Sequence, residues 1–252
     1  MRYAIVAVLA LAVGAAAAYR ATRPAPAITI QERLDRFHAA IGTPACDEVV
    51  AELGLIRDEA VENDAVRLAR EGSKAERLAG LDLLDLLDIE NPDTRDIVLE
   101  ILRTERDPEI VAAAIYALHR GVPSPSEVAG VLAALRPLLS RAEPEIRRRA
   151  LLAWADWSAD PAPLTAALGD ASVDVRAGAA FAVGITRADV PNRAALLAEV
   201  VADESEDWGV RDVAWHALTR LPTDEATWAV VADFKARREA YGEVAAADPG
   251  RP

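Results

Sequence analysis

The sequence runs to 252 residues with 52% hydrophobic and 5% aromatic content, enough apolar material for a sizeable core, and its heavy use of alanine favours helices over strands. A formal net charge of −13, from 28 basic against 41 acidic residues, excludes a general nucleic-acid binder, which needs a basic surface. The single cysteine, Cys46, excludes an intrachain disulfide, and the histidines His38, His119 and His216 share no metal-ligand spacing.

Taken in order, Tyr3–Tyr19 (YAIVAVLALAVGAAAAY) is an uncharged apolar run of 17 residues between Arg2 and Arg20. It is membrane-directed: at about 1.5 Å per residue a helix here is at the short end of what spans a ~30 Å hydrocarbon core, with a tyrosine for each interface. A cleaved signal peptide is the alternative, because Ala15–Ala18 offers small residues to a signal peptidase. The expectation is a single-pass N-terminal anchor within residues 1–20 with the bulk of the chain extracytoplasmic, or else secretion after cleavage. Residues 21–27 read as a Pro/Ala linker, since Pro24 and Pro26 stop a helix from continuing.

Residues 28–72 read as N-terminal capping helices and the first repeat helix. Ile30, Leu34, Phe37 and Ile41 make a helical stripe, Thr43-Pro44 reads as a helix start, and Val61, Ala65, Leu68 and Ala69 line one side of Asp58–Glu71, which Gly72 ends. Ser73 caps the next helix. Asn91-Pro92, Asp107-Pro108, Glu143-Pro144 and Asp160-Pro161 then mark successive helix starts, each a partner for free amides followed by proline. The segment Gly121–Ser126 (GVPSPS) is a loop, and Pro137 is expected to kink the helix that follows it. Residues 222–241 form a C-terminal capping helix, and 242–252 a flexible tail.

A repeat organises this punctuation. With Ile110, Ile146, Val175 and Val210 in register, an alanine lies four positions on (Ala114, Ala150, Ala179, Ala214) and another seven on (Ala117, Ala153, Ala182, Ala217). A weaker copy is placed at Ala75, with Ala79 in position and Asp82 in place of the second alanine. The starts step by 35, 36, 29 and 35 residues, the period range of helical-pair arrays. Offsets 0, +4, +7 and +8 share one side of a 3.6-residue helix, so the alanines sit in a buried stripe that another helix can approach closely. Such a hairpin cannot bury its apolar face alone, and neighbours must stack to complete the core.

Strings such as LGDASVDVRAGAAFAVG and ERDPEIVAAAIYAL resemble HEAT repeats, in particular the short bacterial HEAT-like repeats also found in phycobilisome lyases. The resemblance covers residues 73–221 and rests on the Asp/Pro turn, the pairs Ile146-Arg147, Val175-Arg176 and Val210-Arg211, and the alanines that follow. The Ile110 copy departs from it with Val111 in place of arginine, and the Ala75 copy with Glu76. It implies an all-α, right-handed α-solenoid of about five helical pairs, here preceded by the N-terminal hydrophobic helix. It also implies binding of a protein partner on the concave face; a lyase or chaperone for a bound chromophore or cofactor is the runner-up, and structural assembly in the cell envelope a third reading. The partner is unknown; no cofactor, metal or nucleic acid is expected.

Offset +6 lies away from the buried stripe yet carries Leu81, Tyr116, Leu152, Phe181 and His216, a column that could line the inner surface as a groove for a helix or peptide. The alternative is packing between successive second helices. Arg147, Arg148, Arg176 and Arg211, with Arg149, are candidate contacts for carboxylates or phosphates, or else partners of turn acids such as Asp170, Asp174 and Asp207. All five tryptophans fall in the C-terminal 100 residues; Trp154 reads as core, Trp157 and Trp208 as the exposed pair. No catalytic constellation is found. Asp82, Asp85 and Asp88 lack His or Cys partners, and the acids after Cys46 raise rather than lower its thiol pKa.

Overall fold

A computed structural model describes residues 28–87, 91–119 and 125–247. The fold is all-α: the described residues form thirteen α-helices and one 3-10 segment, with no strand. The expected single-pass anchor is corrected here, because no helix among the described residues is long and apolar enough to cross a membrane. The run Tyr3–Tyr19 and the linker after it lie outside the described residues.

The chain divides into two compact units, Met1–Ala39 and Ala40–Pro252. The first contributes most of α1 (Ile30–Ala40), which opens on a reciprocal cap: the Thr29 amide donates to Glu32 at 2.8 Å and the Glu32 amide to the Thr29 hydroxyl at 3.2 Å. Leu34 and Phe37 of its apolar stripe are buried.

The second unit runs α2 (Cys46–Leu53), α3 (Glu59–Glu71), α4 (Lys74–Leu86), α5 (Pro92–Thr104), α6 (Pro108–His119), α7 (Pro125–Leu135), α8 (Pro144–Trp157), α9 (Ala162–Ala167), α10 (Val173–Ile185), α11 (Arg193–Ala202), α12 (Trp208–Leu218) and α13 (Glu225–Ala247). Local chemistry sets the starts. Asn91, Asp107 and Asp160 each accept the amide two residues on, at 3.0 Å, across a proline whose missing N–H is no loss in a first turn. Thr43-Pro44 instead builds a turn, and α2 begins three residues after the threonine. Pro137 does more than kink its helix: α7 stops at Leu135 and Arg136–Ser140 continues as a 3-10 helix, whose tighter bonding avoids the clash a proline makes inside an α-helix. The last helix continues past Tyr241, where an end was expected, to Ala247.

Helices α3 to α12 pack in consecutive pairs, α3 on α4, α5 on α6, α7 on α8, α9 on α10 and α11 on α12. Each second helix also packs on the next, giving the succession α4, α6, α8, α10, α12, with α2 against α4 at one end and α13 against α11 and α12 at the other. The alanines at offset +4 (Ala114, Ala150, Ala179, Ala214) are fully buried, and those at +7 nearly so. Alanine there removes side-chain bulk from the helix contact, and Trp154, Val183 and Leu218 at offset +8 fill the space beside it.

The first copy sits one residue later than its alanines suggest. In α4 the buried positions Gly80, Leu83 and Leu84 correspond to offsets +4, +7 and +8 from Glu76, not from Ala75. Glycine holds the contact position because α3 comes closest here: a Cβ on Gly80 would lie 2.6 Å from the Ala65 carbonyl oxygen and 2.8 Å from the Ala69 amide nitrogen. This shift brings Arg77 to offset +1 and Asp82 to offset +6.

Candidate functional site: the open face of the second helices

With the corrected register, offset +6 is held by Asp82, Tyr116, Leu152, Phe181 and His216, and none of these is fully buried. Tyr116 is 45% and Phe181 42% exposed, Leu152 between them is half-buried, and Asp82 and His216 are exposed. Leu81 does not belong to this column. It is fully buried at offset +5, where Ile115, Leu151 and Ala180 are buried in later copies, and it contributes nothing to an accessible face.

Three adjoining hollows follow the column. One of about 510 Å³ lies between α4, α6 and α8, with Leu78, Asp82, Ala112 and Tyr116 in its lining. The next, about 280 Å³, is walled by Tyr116, Arg149, Leu152, Phe181 and Ile185 from α6, α8 and α10. The third, about 530 Å³, runs from Leu152 and Phe181 to Val213 on α12. Tyr116 is therefore a shared wall of the first and second hollows, and Phe181 of the second and third.

Charge is distributed unevenly around these apolar floors. The linings contain the carboxylates of Asp82, Glu109, Glu143, Glu145, Asp156 and Asp174 against the guanidinium groups of Arg148 and Arg149. Both arginines are already engaged. Arg148 donates twice to Glu145, at 2.9 and 3.0 Å, while Arg149 donates to Glu145 and stacks 3.9 Å from the centre of the Tyr116 ring. Crowding by the surrounding protein, followed by the charges of Asp47 and Asp85, pushes the Asp82 carboxyl above its ordinary value of 3.8, and Arg149 offsets this only in part.

The offset +1 arginines do not wait for a ligand. Arg147 clamps Asp170 through two bonds of 2.9 and 2.7 Å, Arg176 clamps Glu206 at 2.7 and 2.8 Å, and Arg77 pairs with Glu105 at 2.6 Å. Each carboxylate lies in the turn inside the following helical pair, so the arginine reaches forward and ties one pair to the next. The spare donors of Arg147 and Arg176 satisfy carbonyls of the turn before their own helix. Arg211 belongs to the last pair among the described residues, α11 and α12. It turns inward, 8% exposed, donates to the Val201 carbonyl at 2.9 Å and lies 5.2 Å from the Phe234 ring centre. Of the candidate contacts for an external anion, Arg147, Arg148 and Arg176 are held by protein carboxylates, and Arg211 lies against a carbonyl and aromatic rings.

Neither a protein-family model nor a curated protein matches this sequence. Among solved structures, the chain is similar to the X-ray structure of YibA from Escherichia coli, a structural genomics target, with a TM-score of 0.62 and 18% identity over 79% of this chain and 76% of that one. At that identity the likeness speaks for the all-α fold alone.

The tryptophans match expectation at Trp154 and depart from it at Trp157 and Trp208. Trp154 is buried, and its indole donates to the Asp160 carbonyl at 3.0 Å. Trp157 is half-buried, and its Nε1 has no hydrogen-bond partner among the described residues. Trp208 is half-buried too, stacked on Phe234 at 4.7 Å, and it is Trp228 on α13 that stands out, 59% exposed. Among the described residues no three His, Cys, Asp or Glu side chains form a metal-binding group. Burial, then Asp47, then Asp82 push the Cys46 thiol up, away from nucleophilic use.

Proposed function

We propose that the paired helices form a right-handed solenoid of HEAT-like hairpins, and that the chain is a protein-interaction scaffold that holds a helix of a partner protein along the open face of its second helices. The succession of second helices, each packed on the next, supports the first part, together with the alanine stripe and the forward-reaching arginines. The observation that carries the second part is the exposure of Tyr116 on α6 and Phe181 on α10, with half-buried Leu152 of α8 between them. Large aromatic side chains held half out of water by a rigid framework are what binding hot spots are made of. Nothing among the described residues specifically favours a chromophore lyase or an envelope assembly protein.

The double substitution Tyr116→Ser/Phe181→Ser tests this reading. Wild-type and double-variant chains serve as baits against a lysate of the source cells, with recovered proteins quantified and thermal melts recorded in parallel. Unchanged melting with a specific loss of recovered proteins is the expected result; recovery of the same proteins by both baits removes the proposal.

A further inference from the structure

We infer that the hollow between α11, α12 and α13 is a receptor for a small monocarboxylate with an apolar body, held by the two terminal amino groups of Arg211. The site shares no lining residue with the three hollows of the open face and stands whether or not that face docks a partner. It encloses about 330 Å³, the lower end of the range in which small ligands are bound. Ala229, Val230, Asp233, Phe234 and Arg237 recur at the spacings of one helix face, so α13 supplies one wall, and Val201 and Ala202 of α11 supply another.

Arg211 itself carries the inference. Two arginines are buried among the described residues, Arg95 at 4% exposure and Arg211 at 8%. Arg95 has its counter-ion, Glu127. Arg211 forms no ion pair among the described residues. Its Nε donates to the Val201 carbonyl, the ring centres of Trp208 and Phe234 lie 5.8 and 5.2 Å from its guanidinium carbon, and its terminal amino groups meet no acceptor among the described residues. A buried charge without a counter-ion is costly, and ring faces offset only part of that cost. A carboxylate offers two parallel acceptors to the open end of the fork, as Asp170 and Glu206 do to the sides of Arg147 and Arg176.

The acids nearby set the charge of the ligand. Asp233 stands in the lining but is tied, with Glu204, to Arg237. Asp203 is held below its ordinary 3.8 first by the Ser205 hydroxyl and amide and only then by the Arg211 charge, and Glu204 below 4.5 first by Arg237. Both are exposed, so water screens them. Their charge remains at the rim all the same. A singly charged carboxylate is admitted there, where a phosphate monoester, close to doubly charged at neutral pH, is repelled. The valine, alanine and phenylalanine walls call for an apolar body behind the carboxylate.

Calorimetric titration of the full chain with hexanoate, hexanamide and hexyl phosphate tests the site, and N-acetyl-Val-Leu with a free C-terminus tells a peptide end from a free acid. Hexanoate or the dipeptide binds at least ~10-fold more tightly than hexanamide and hexyl phosphate, the difference a charge-assisted fork makes. Whichever of the two carboxylates binds more tightly names the source, and either supports the inference. Arg211→Met removes the preference over hexanamide. Because that change can also unsettle the fold, Ala229→Trp, at an exposed position, fills the hollow with Arg211 in place and abolishes binding while the thermal melt is unchanged. Equal or tighter binding of hexanamide or hexyl phosphate overturns the inference. So does undiminished binding by Ala229→Trp, or failure of both carboxylates to bind.

Discussion

Replacing Gly80 with alanine tests how closely the first helical pair is packed. The new Cβ would sit 2.6 Å from the Ala65 carbonyl oxygen and 2.8 Å from the Ala69 amide nitrogen, both backbone atoms of α3 that no rotamer change can move. Ordinary contact needs roughly 3.5 Å, so α3 and α4 must separate by nearly 1 Å, enough to forfeit a quarter to a half of the dispersion energy across the gap. Leu68, Leu83 and Leu84, all fully buried, lie along that contact. Overpacking of this sort costs about 1–3 kcal/mol, against which alanine gains up to ~1 kcal/mol over glycine as a helix former. The net expectation is a loss of up to about 2 kcal/mol, a fall in melting temperature of up to roughly 8 °C for a chain of this size. Gly130→Ala is the control, since a Cβ there meets nothing nearer than Leu99 Cδ1 at 3.9 Å and only the propensity gain remains. Thermal and urea melts followed by far-ultraviolet circular dichroism read both. If Gly80→Ala proves as stabilising as Gly130→Ala, the close approach of α3 to α4 is wrong, and with it the shifted register.

Arg176→Ala removes a two-bond contact to Glu206 between side chains only 19% and 12% exposed, and should cost about 1–3 kcal/mol in the same melts; an unchanged midpoint would mean that the arginine does not tie the pairs together. Its partner Glu206, and Asp170 through Arg147, are held below their ordinary values of 4.5 and 3.8, so the stabilisation they give is complete above pH 4.5 and drains away as pH falls through the lowered folded values. Asp170→Asn/Glu206→Gln should therefore flatten the acid limb of the stability profile while lowering stability at neutral pH. Asp82 has the opposite sign. Its raised carboxyl penalises the folded state at neutral pH, and the penalty fades as pH falls through the raised folded value and is gone below 3.8. Asp82→Asn should raise the melting temperature at pH 7 and leave it unchanged at pH 3.

Much of this architecture was legible because alanine at a helix contact is a distinctive choice. Four copies announce the stripe, and Ala114, Ala150, Ala179 and Ala214 are all fully buried. The fifth misled because its contact position is glycine and its neighbours Ala75 and Ala79 mimic the pattern one residue early, which carried Leu81 into the column and Asp82 out of it. Offset +6 could be read as a direction on the helix; whether it met water depended on the spacing of neighbouring helices, which no single helix encodes. The arginines could be read as ion-pair formers, and Arg147 does take Asp170. Arg176 takes Glu206 rather than a nearer acid because its guanidinium reaches into the following pair. The inward turn of Arg211 goes with Phe234 of α13 beside it, a neighbour that its own helix does not encode.

The bridges formed by Arg77, Arg147 and Arg176 all point the same way, each side chain closing on a carboxylate that comes later in the chain. During synthesis an arginine is therefore made before its counter-ion, and a nascent chain halted between α10 and α12 would carry an unmatched Arg176 at its growing edge. Arg211 differs: its carbonyl partner Val201 precedes it, and Phe234 of α13 later comes to lie beside it. Folding from the ribosome should accordingly reach its full cooperativity late, with the C-terminal helix acting as the clasp that closes the row.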